Sequence, residues 1–309
     1  MLTQHHFLVT GGAGFIGSGL VKDLELEHNS KVTVLDDFSA GDFRNLLNFK
    51  GDVIAWDIRD AGWHEKVGEV DAVFHEAAIT DASEEDQREM MDVNVNGFRN
   101  VLDFAVKRGI KRVVFASSAE VYGNGPLPMK EKQYLAPENI YGFSKAVMEN
   151  VAAEYALTHP YMTIVGLRYF SVYGPGEFYK GKNASLIHRI YRDIGAGKPP
   201  SLPGDGSRKI DFVYIKDVIR GNMLAMEAKD SCTCNLASGR PETLKRVVGY
   251  VNAALGKNVE PVYTGNHLPR VQRETEADIT CAKEKINFAP QWDTERGVSD
   301  YIKNYLEKR

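Results

Sequence analysis

The octapeptide T-G-G-A-G-F-I-G at residues 10–17 constrains this chain more than any other stretch. It follows a short β-branched run, F-L-V-T at 7–10, and opens a helical pattern over 16–28. Gly12, Gly14 and Gly17 satisfy G-x-G-x-x-G, and Gly11, Gly14 and Gly17 satisfy the variant G-x-x-G-x-x-G. Side chains at these positions would block a tight strand-to-helix turn and the approach of a pyrophosphate. The helix amino terminus then offers unpaired N–H groups and a positive dipole end to that anion. Asp36 follows 19 residues after Gly17, at the end of a second strand-like run, K-V-T-V-L at 31–35. A carboxylate there accepts hydrogen bonds from ribose hydroxyls. The expected cofactor contacts are Gly11, Gly14, Phe15, Ile16, Gly17 and Asp36. The Asp36 charge repels a 2′-phosphate, which favours NAD over NADP. Asp37 either adds to that repulsion or is a turn residue, and Arg44 keeps NADP open.

The same pattern continues downstream. Strand-like runs at 52–55, 72–75, 112–117 and 163–168 alternate with helical patterns at 86–108 and 142–159. Strands separated by helices imply βαβ units and a parallel sheet covered on both faces. The expected fold is therefore α/β, a Rossmann-type doubly wound parallel sheet. After residue 170 the texture changes to Gly-Pro turns and short elements, with one further strand and helix expected at 213–229. This divides the chain into a Rossmann domain, 1–170 plus about 211–240, and a smaller discontinuous substrate-binding lobe, about 171–210 and 241–309. A helix is expected near 243–255 and an amphipathic one near 294–307.

Whole-chain properties exclude several classes. With 309 residues, 43 % apolar and 26 % charged, the chain is long enough for one large α/β unit or two moderate ones. A formal charge of −4 without a basic block argues against nucleic-acid and membrane-surface partners. No apolar run reaches a bilayer-spanning length, and the first residues run straight into a strand, so no secretion signal is expected. Cys232, Cys234 and Cys281 have no metal-ligand spacing and the eight His show no H-x-x-x-H, so no metal site is expected. Three unpaired cysteines fit a reducing cytoplasm. His75 reads as a packed, hydrogen-bonded residue, and His188 as core or substrate rim.

The segment N-I-Y-G-F-S-K, 139–145, places Tyr141 and Lys145 four apart on a predicted helix, hence on one face. A free tyrosine, with a pKa of about 10, is a poor base at neutral pH. A nearby ammonium and a cationic nicotinamide ring both favour the phenolate. Such a tyrosine can take a proton from a hydroxyl while hydride leaves the carbon. S-S-A-E-V-Y-G at 117–123 ends the preceding strand, where doubly wound sheets hold ligands, and Ser118 is placed to bond the same substrate oxygen. The plainer reading is that Ser117 and Ser118 cap the strand end.

Seven motifs in order carry a family resemblance: T-G-G-A-G-F-I-G, F-H-E-A-A (74–78), N-V-N-G (94–97), S-S-A-E-V-Y-G, Y-G-F-S-K, L-R-Y-F-S-V-Y-G-P (167–175) and D-F-V-Y-I-K-D-V (211–218). Together they resemble the extended short-chain dehydrogenase/reductase family of nucleotide-sugar epimerases and dehydratases. The resemblance implies that Asp57 and Ile58 border the adenine, that Ala77, Ala78, Asn94 and Ser117 line or adjoin the cofactor cleft, and that Lys145 also bonds the nicotinamide ribose. It implies a nucleotide-diphosphate sugar in the second lobe and a homodimer or higher homo-oligomer. Dehydratases of the family carry Asp-Glu where this chain has Ala119-Glu120, so epimerisation through a transient ketone is favoured over elimination. Decarboxylation or net oxidoreduction stays open, as does a non-catalytic NAD(P)-binding regulator. Within the family, F-H-E, M-M-D-V-N (90–94), E-F-Y-K-G-K-N-A-S (177–185) and P-R-V-Q-R-E-T-E-A-D (269–278) look most like the ADP-glycero-manno-heptose 6-epimerases. That likeness makes Lys180 a second acid/base opposite Tyr141, whereas likeness to UDP-hexose 4-epimerases implies one tyrosine and a rotating ketone. Lys182 reads as a surface charge. Ser171 stands where the family usually has a substrate-contacting Asn, and Ile210 where it has a diphosphate-binding Arg. Arg270 is a candidate diphosphate clamp or a solvated surface residue.

Overall fold

Seven parallel strands run in the order β3-β2-β1-β4-β5-β6-β11. They are β1 (His6–Thr10), β2 (Lys31–Asp36), β3 (Asp52–Ala55), β4 (Ala72–His75), β5 (Arg112–Ser118), β6 (Thr163–Tyr169) and β11 (Cys232–Leu236). The computed structural model describes residues 5–81, 86–265 and 274–308. The chain builds outward from β1 through β2 to β3, then returns to β4 on the other side of β1. That reversal opens a crevice at the carboxyl ends of β1 and β4, where such sheets hold ligands.

The strands are apolar throughout because helices cover both faces. Side chains alternate between the two cores, as the period of a strand demands. Phe7, Val9, Phe74 and Val114 face α1 (Phe15–Leu26) and α6 (Ile215–Met226), which supply Leu20, Leu24 and Val218. Leu8, Val73, Val113 and Phe115 face the other side, with Phe98, Val101 and Phe104 of α3 (Gly97–Arg108) and Met148 of α4 (Ile140–Thr158). The predicted helix at 86–108 is α2 (Gln87–Met91) and α3 joined by a π turn, Asp92–Asn96.

The remaining elements pack round a third apolar core. β7 (Ser171–Tyr173) pairs with β10 (Phe212–Tyr214), β8 (Ser201–Pro203) with β13 (Val262–Thr264), and β9 (Lys209–Ile210) with β12 (Glu242–Thr243). Ile187, Ile190 and Ile194 of α5 (Leu186–Gly195) meet Val247 and Val251 of α7 (Leu244–Leu255) and Val298 of α9 (Thr294–Tyr301). α8 (Thr280–Ile286) packs instead against the main sheet. The strand expected at 213 does not return to the sheet. It pairs with β7, and the seventh strand is Cys232–Leu236, beyond the helix. Its sequence, C-T-C-N-L, lacks a β-branched run and alternation, so its pattern does not announce a strand. There Cys234 Sγ lies 3.1 Å from Cys281 Sγ of α8, bringing together thiols that are 47 residues apart in sequence.

Both aspartates of D-F-V-Y-I-K-D-V hold backbone rather than substrate. Buried Asp211 accepts from Ser238 N at 2.9 Å, Gly239 N at 3.0 Å and Ala277 N at 3.1 Å. Asp217 accepts from Gln291 N and Trp292 N, with Asp217 Oδ2 at 2.9 Å from each. His188 is core, buried with Nδ1 2.8 Å from the Tyr301 hydroxyl. Among the described residues, no helix is long and apolar enough to cross a membrane.

Phe98 carries a clean test of the core. It is fully buried, stacked on His75 at 4.9 Å and against Phe115 at 4.7 Å. Phe98→Ala is expected to cost about 3–5 kcal/mol, read as a lower denaturation midpoint in urea with an unchanged slope.

Candidate active site

The turn after β1 leaves no room for side chains. A Cβ on Gly17 would sit 2.1 Å from the Gly11 carbonyl oxygen, and one on Gly11, at φ +68°, 2.6 Å from Ala77 N. The glycines that backbone contact demands are thus Gly11 and Gly17. Gly12 is also confined, its Cβ falling 2.8 Å from both Val34 methyls. α1 then begins at Gly14 with no side-chain cap and no acidic residue in its first turn. Its leading N–H groups therefore keep their affinity for an anion. A cradle that a single methyl would fill, at an uncapped helix start, fits the pyrophosphate of a dinucleotide.

Asp36 ends β2 and closes this loop. Its carboxylate accepts from Ala13 N at 2.9 Å and Phe38 N at 2.8 Å, and burial pushes its pKa up. Asp37 takes the turn role, accepting from Ser39 N and Oγ at 2.9 and 2.7 Å. Arg44 is held by Asp42 and lies 3.8 Å from the Tyr179 ring centroid. Asp57, after β3, is paired with Arg59 at 2.6 Å, which holds its carboxyl low. The Ile58 side chain is buried in the core against Gly97. Its carbonyl accepts from Asn100 Nδ2 at 2.6 Å. Ala77 and Ala78 follow β4, half-buried beside the glycine turn.

Asn94 sits on the π turn, buried, and braces this loop to α4. It bonds Ile79 N at 2.8 Å, Ile79 O at 3.0 Å and Ser144 Oγ at 2.9 Å. Ser144 in turn donates to the Tyr141 carbonyl at 2.7 Å. A π turn at such a position is a common mark of a functional segment.

α4 starts at Asn139, whose side chain caps Gly142 N at 2.8 Å. Glu120 accepts from the same Asn139 at 3.0 Å, so it orients the cap of the helix that carries Tyr141. Ser118 acts on the Tyr141 phenol, favouring its ionised form, and its hydroxyl oxygen receives Glu120 N at 3.2 Å. Lys145 is buried and donates to the Ala116 carbonyl at 2.8 Å. Its ammonium is 5.8 Å from the Tyr141 ring centroid, and burial brings its pKa down to about 8. The phenol shifts the other way. Burial, with the Glu120 and Glu76 carboxylates, pushes it up to about 12. Ser117 faces the other way: its hydroxyl donates to Glu149 at 2.5 Å, in the buried Glu149–Arg168 pair, because it lies on the opposite side of the strand from Ser118.

The chain matches the NAD dependent epimerase/dehydratase family over residues 7–237. The chain belongs to that family. Among solved structures it is similar to the ADP-L-glycero-D-manno-heptose-6-epimerase of Helicobacter pylori, at 37% identity and a TM-score of 0.88, over 97% of this chain and 95% of that one. It is similar to the UDP-glucose 4-epimerase of Thermotoga maritima with UDP-glucose, at 30% identity and a TM-score of 0.91, over 98% and 99%. A third is the Thermus thermophilus UDP-glucose 4-epimerase in complex with NAD, at 28% identity and a TM-score of 0.87, over 97% and 100%. The parallel sheet with flanking helices matches these epimerases.

The loop Y-K-G-K-N-A-S forms a 3-10 turn, Phe178–Asn183, over the carboxyl edge of the family's sheet. Tyr179 stacks on Arg44 after β2, the Lys180 ammonium lies 5.1 Å from the Phe15 ring centroid at the start of α1, and Lys182 pairs with Asp81 at 3.2 Å. Burial pulls the Lys180 pKa down, with Glu177 opposing. Lys182 is exposed, as a surface charge should be. Ile16 packs partly buried at the base of α1. Ser171 is exposed on β7. Ile210 is buried in the lobe core, while Arg208, two residues earlier, lies close enough to Glu120 and Glu274 to feel both charges. Arg270 lies outside the described residues. A large groove among the described residues lies elsewhere, between α1 and α6, lined by Lys22, Ile219 and Met223, and contains neither Tyr141 nor Lys145.

Glu76, in the F-H-E motif, has a place in the site that the sequence pattern does not announce. Its carboxylate accepts from the Tyr169 hydroxyl at 2.8 Å, and it faces Lys145 and Tyr141 electrostatically. The available signal was a carboxylate directly after an apolar strand. His75, beside it, bonds Thr10 Oγ1 through Nδ1 at 2.7 Å, and burial drops its pKa to about 3.

Gly17→Ala tests the cradle. The added methyl meets the Gly11 carbonyl, so the variant is expected to lose at least about tenfold in NAD affinity, about 1.4 kcal/mol, in calorimetric titration. An unchanged affinity in a folded variant would show that the dinucleotide binds elsewhere.

Proposed function

We propose that this chain is an NAD-dependent nucleotide-sugar epimerase that inverts a carbinol centre through a transient ketone, most like an ADP-glycero-manno-heptose 6-epimerase. The observation that carries the reading is the pairing of Tyr141 with buried Lys145 one helical turn on, its ammonium 5.8 Å from the Tyr141 ring centroid, beside a glycine cradle shaped for a dinucleotide. Gly11, Gly14, Gly17 and the start of α1 would hold the pyrophosphate, with Asp36 at the adenosine ribose. NAD, when bound, supplies a reversible hydride acceptor and, in its oxidised form, a positive ring.

A carbon bearing only hydroxyl and hydrogen is not acidic, so direct deprotonation cannot invert it at a useful rate. Tyr141 takes the proton of the hydroxyl as the carbon loses its hydride, and gives a proton back to the alkoxide as the hydride returns on the other face. Ser118 orients the phenol and, by donating to it, favours its ionised form. Lys145 adds a fixed positive charge held at the Ala116 carbonyl. Lys180 serves the opposite face in the two-base version. Arg208, drawn toward Glu120, is the described arginine best placed for the substrate diphosphate, since Ile210 is turned into the core. The lobe after residue 170 would take the nucleotide sugar.

A one-base mechanism, as in UDP-hexose 4-epimerases, is the second reading. The placement of Lys180 over Phe15, against Glu177, favours it, because that side chain already has a packing role. Phe143 and Leu157 stand exposed on α4, at 49% and 83%, which supports a homodimer formed on that helix face.

Incubation with ADP-, UDP-, GDP- and CDP-sugars, followed by NMR of the stereocentres, tests the function. Steady NADPH consumption without a change of configuration would replace it with net oxidoreduction. Tyr141→Phe is expected to lower kcat by about 10²–10⁴ while NAD affinity stays unchanged. Lys180→Met is expected to lower turnover comparably in the two-base version and to leave kcat intact in the one-base version. Sedimentation equilibrium is expected to give twice the chain mass, and a concentration-independent monomer would remove the dimer.

A further inference from the structure

Glu76 is a half-buried carboxylate, and among the described residues no guanidinium or ammonium is seen hydrogen-bonded to it. Its backbone N–H donates to Thr10 O at 3.1 Å, which fixes it at the crevice between β1 and β4. Its carbonyl carbon would lie 2.8 Å from a Cβ on Gly11, so it packs on the glycine turn. Its side chain receives the Tyr169 hydroxyl at 2.8 Å, and Tyr169 receives Asn222 Nδ2 at 2.8 Å. Tyr169 and Asn222 are buried, and Asn222 is anchored to the Val218 carbonyl at 2.9 Å. A three-residue chain from β4 through β6 to α6 thus holds this one carboxylate in position.

We propose that Glu76 is a charge-setting residue of the reaction site, its carboxylate favouring the oxidised, positively charged form of the nicotinamide cofactor over the neutral reduced form. The inference rests on the reading of Tyr141 and Lys145 as the proton-transfer pair, since hydride must be exchanged beside them. The structure supplies the juxtaposition: Glu76 packs its backbone on the glycine turn, and its carboxylate acts electrostatically on both members of that pair. The groups that face it are Lys145 and Tyr141 on α4 and Tyr169 on β6. Neighbouring His75 stays neutral, Glu149 acts on Lys145, and Glu120 acts on Tyr141. Burial pushes the Glu76 carboxyl up to about 7, against the Tyr169 hydrogen bond and the Lys145 charge, which lower it. Its charge therefore appears near neutrality. Below that pH the acid is neutral and the preference for the oxidised form is lost; above it the preference is present.

The experiment is calorimetric titration of the full chain with NAD+ and with NADH between pH 5.5 and 8.5, without sugar. In the wild type the affinity ratio of NAD+ to NADH is expected to rise as pH increases through about 7. In Glu76→Gln the ratio is expected to fall by about tenfold above that pH and to lose the step, while Glu76→Asp, which keeps the charge, retains it. Tyr169→Phe removes a donor that favours the ionised form, so its step is expected at higher pH; it serves if Glu76→Gln fails to fold. An identical ratio and pH dependence in wild type and Glu76→Gln, with matching melting temperatures, would overturn the proposal. Because no turnover is measured, this result is separate from the Tyr141→Phe assay, which tests the proton-transfer pair alone.

Discussion

The carbonyl of Gly11 is the point on which the rest of the molecule is hung. It lies where a methyl on Gly17 would have to go, while Gly11 itself is pressed against the Ala77 backbone. These contacts bring the end of β1, the start of α1 and the segment after β4 together with no side chain between them. The crevice formed by the strand reversal is consequently narrow and lined by backbone, which suits a ligand recognised through N–H groups. Asp36 secures the same turn from β2 through Ala13 N. The sheet could tolerate changes in its apolar fillings; this turn tolerates almost none.

A second theme is the use of enclosed carboxylates to hold backbone. Asp36, Asp211, Asp217 and Glu177 each accept from two or more backbone N–H groups, and each binds segments that have no ladder of their own. Glu76 and Glu120 differ, because they take side-chain donors and lie near Tyr141. The site therefore mixes acids that are structural with acids whose charge reaches the phenol. Burial chiefly raises the phenol, and these two carboxylates add to it, despite a lysine one turn away.

The sheet was legible because its strands are buried on both sides and so read as unbroken apolar runs. β11 was not legible, because C-T-C-N-L carries its pairing in backbone and its packing in small residues. The cofactor cradle and the Tyr141–Lys145 face followed from spacing alone. What spacing does not report is direction across a strand: Ser117 and Ser118 are adjacent, yet one serves Glu149 and the other Tyr141. Nor does it report that Ile210 turns inward while Arg208 approaches Glu120. Both are outcomes of tertiary packing, which decides the side chain's face after the chain pattern has decided the element.

The turn Phe178–Asn183 touches the loops after β2, β1 and β4 through Tyr179, Lys180 and Lys182. These are adjacent strands, so the turn spans the crevice mouth like a buckle. Opening that mouth means undoing a stacked guanidinium, an ammonium set on a ring and an ion pair. The segment that bears the lobe's first helix is thereby the same segment that fastens the crevice. A change in the length of this turn would therefore be felt at three adjacent strand ends at once, and at the helix that follows it.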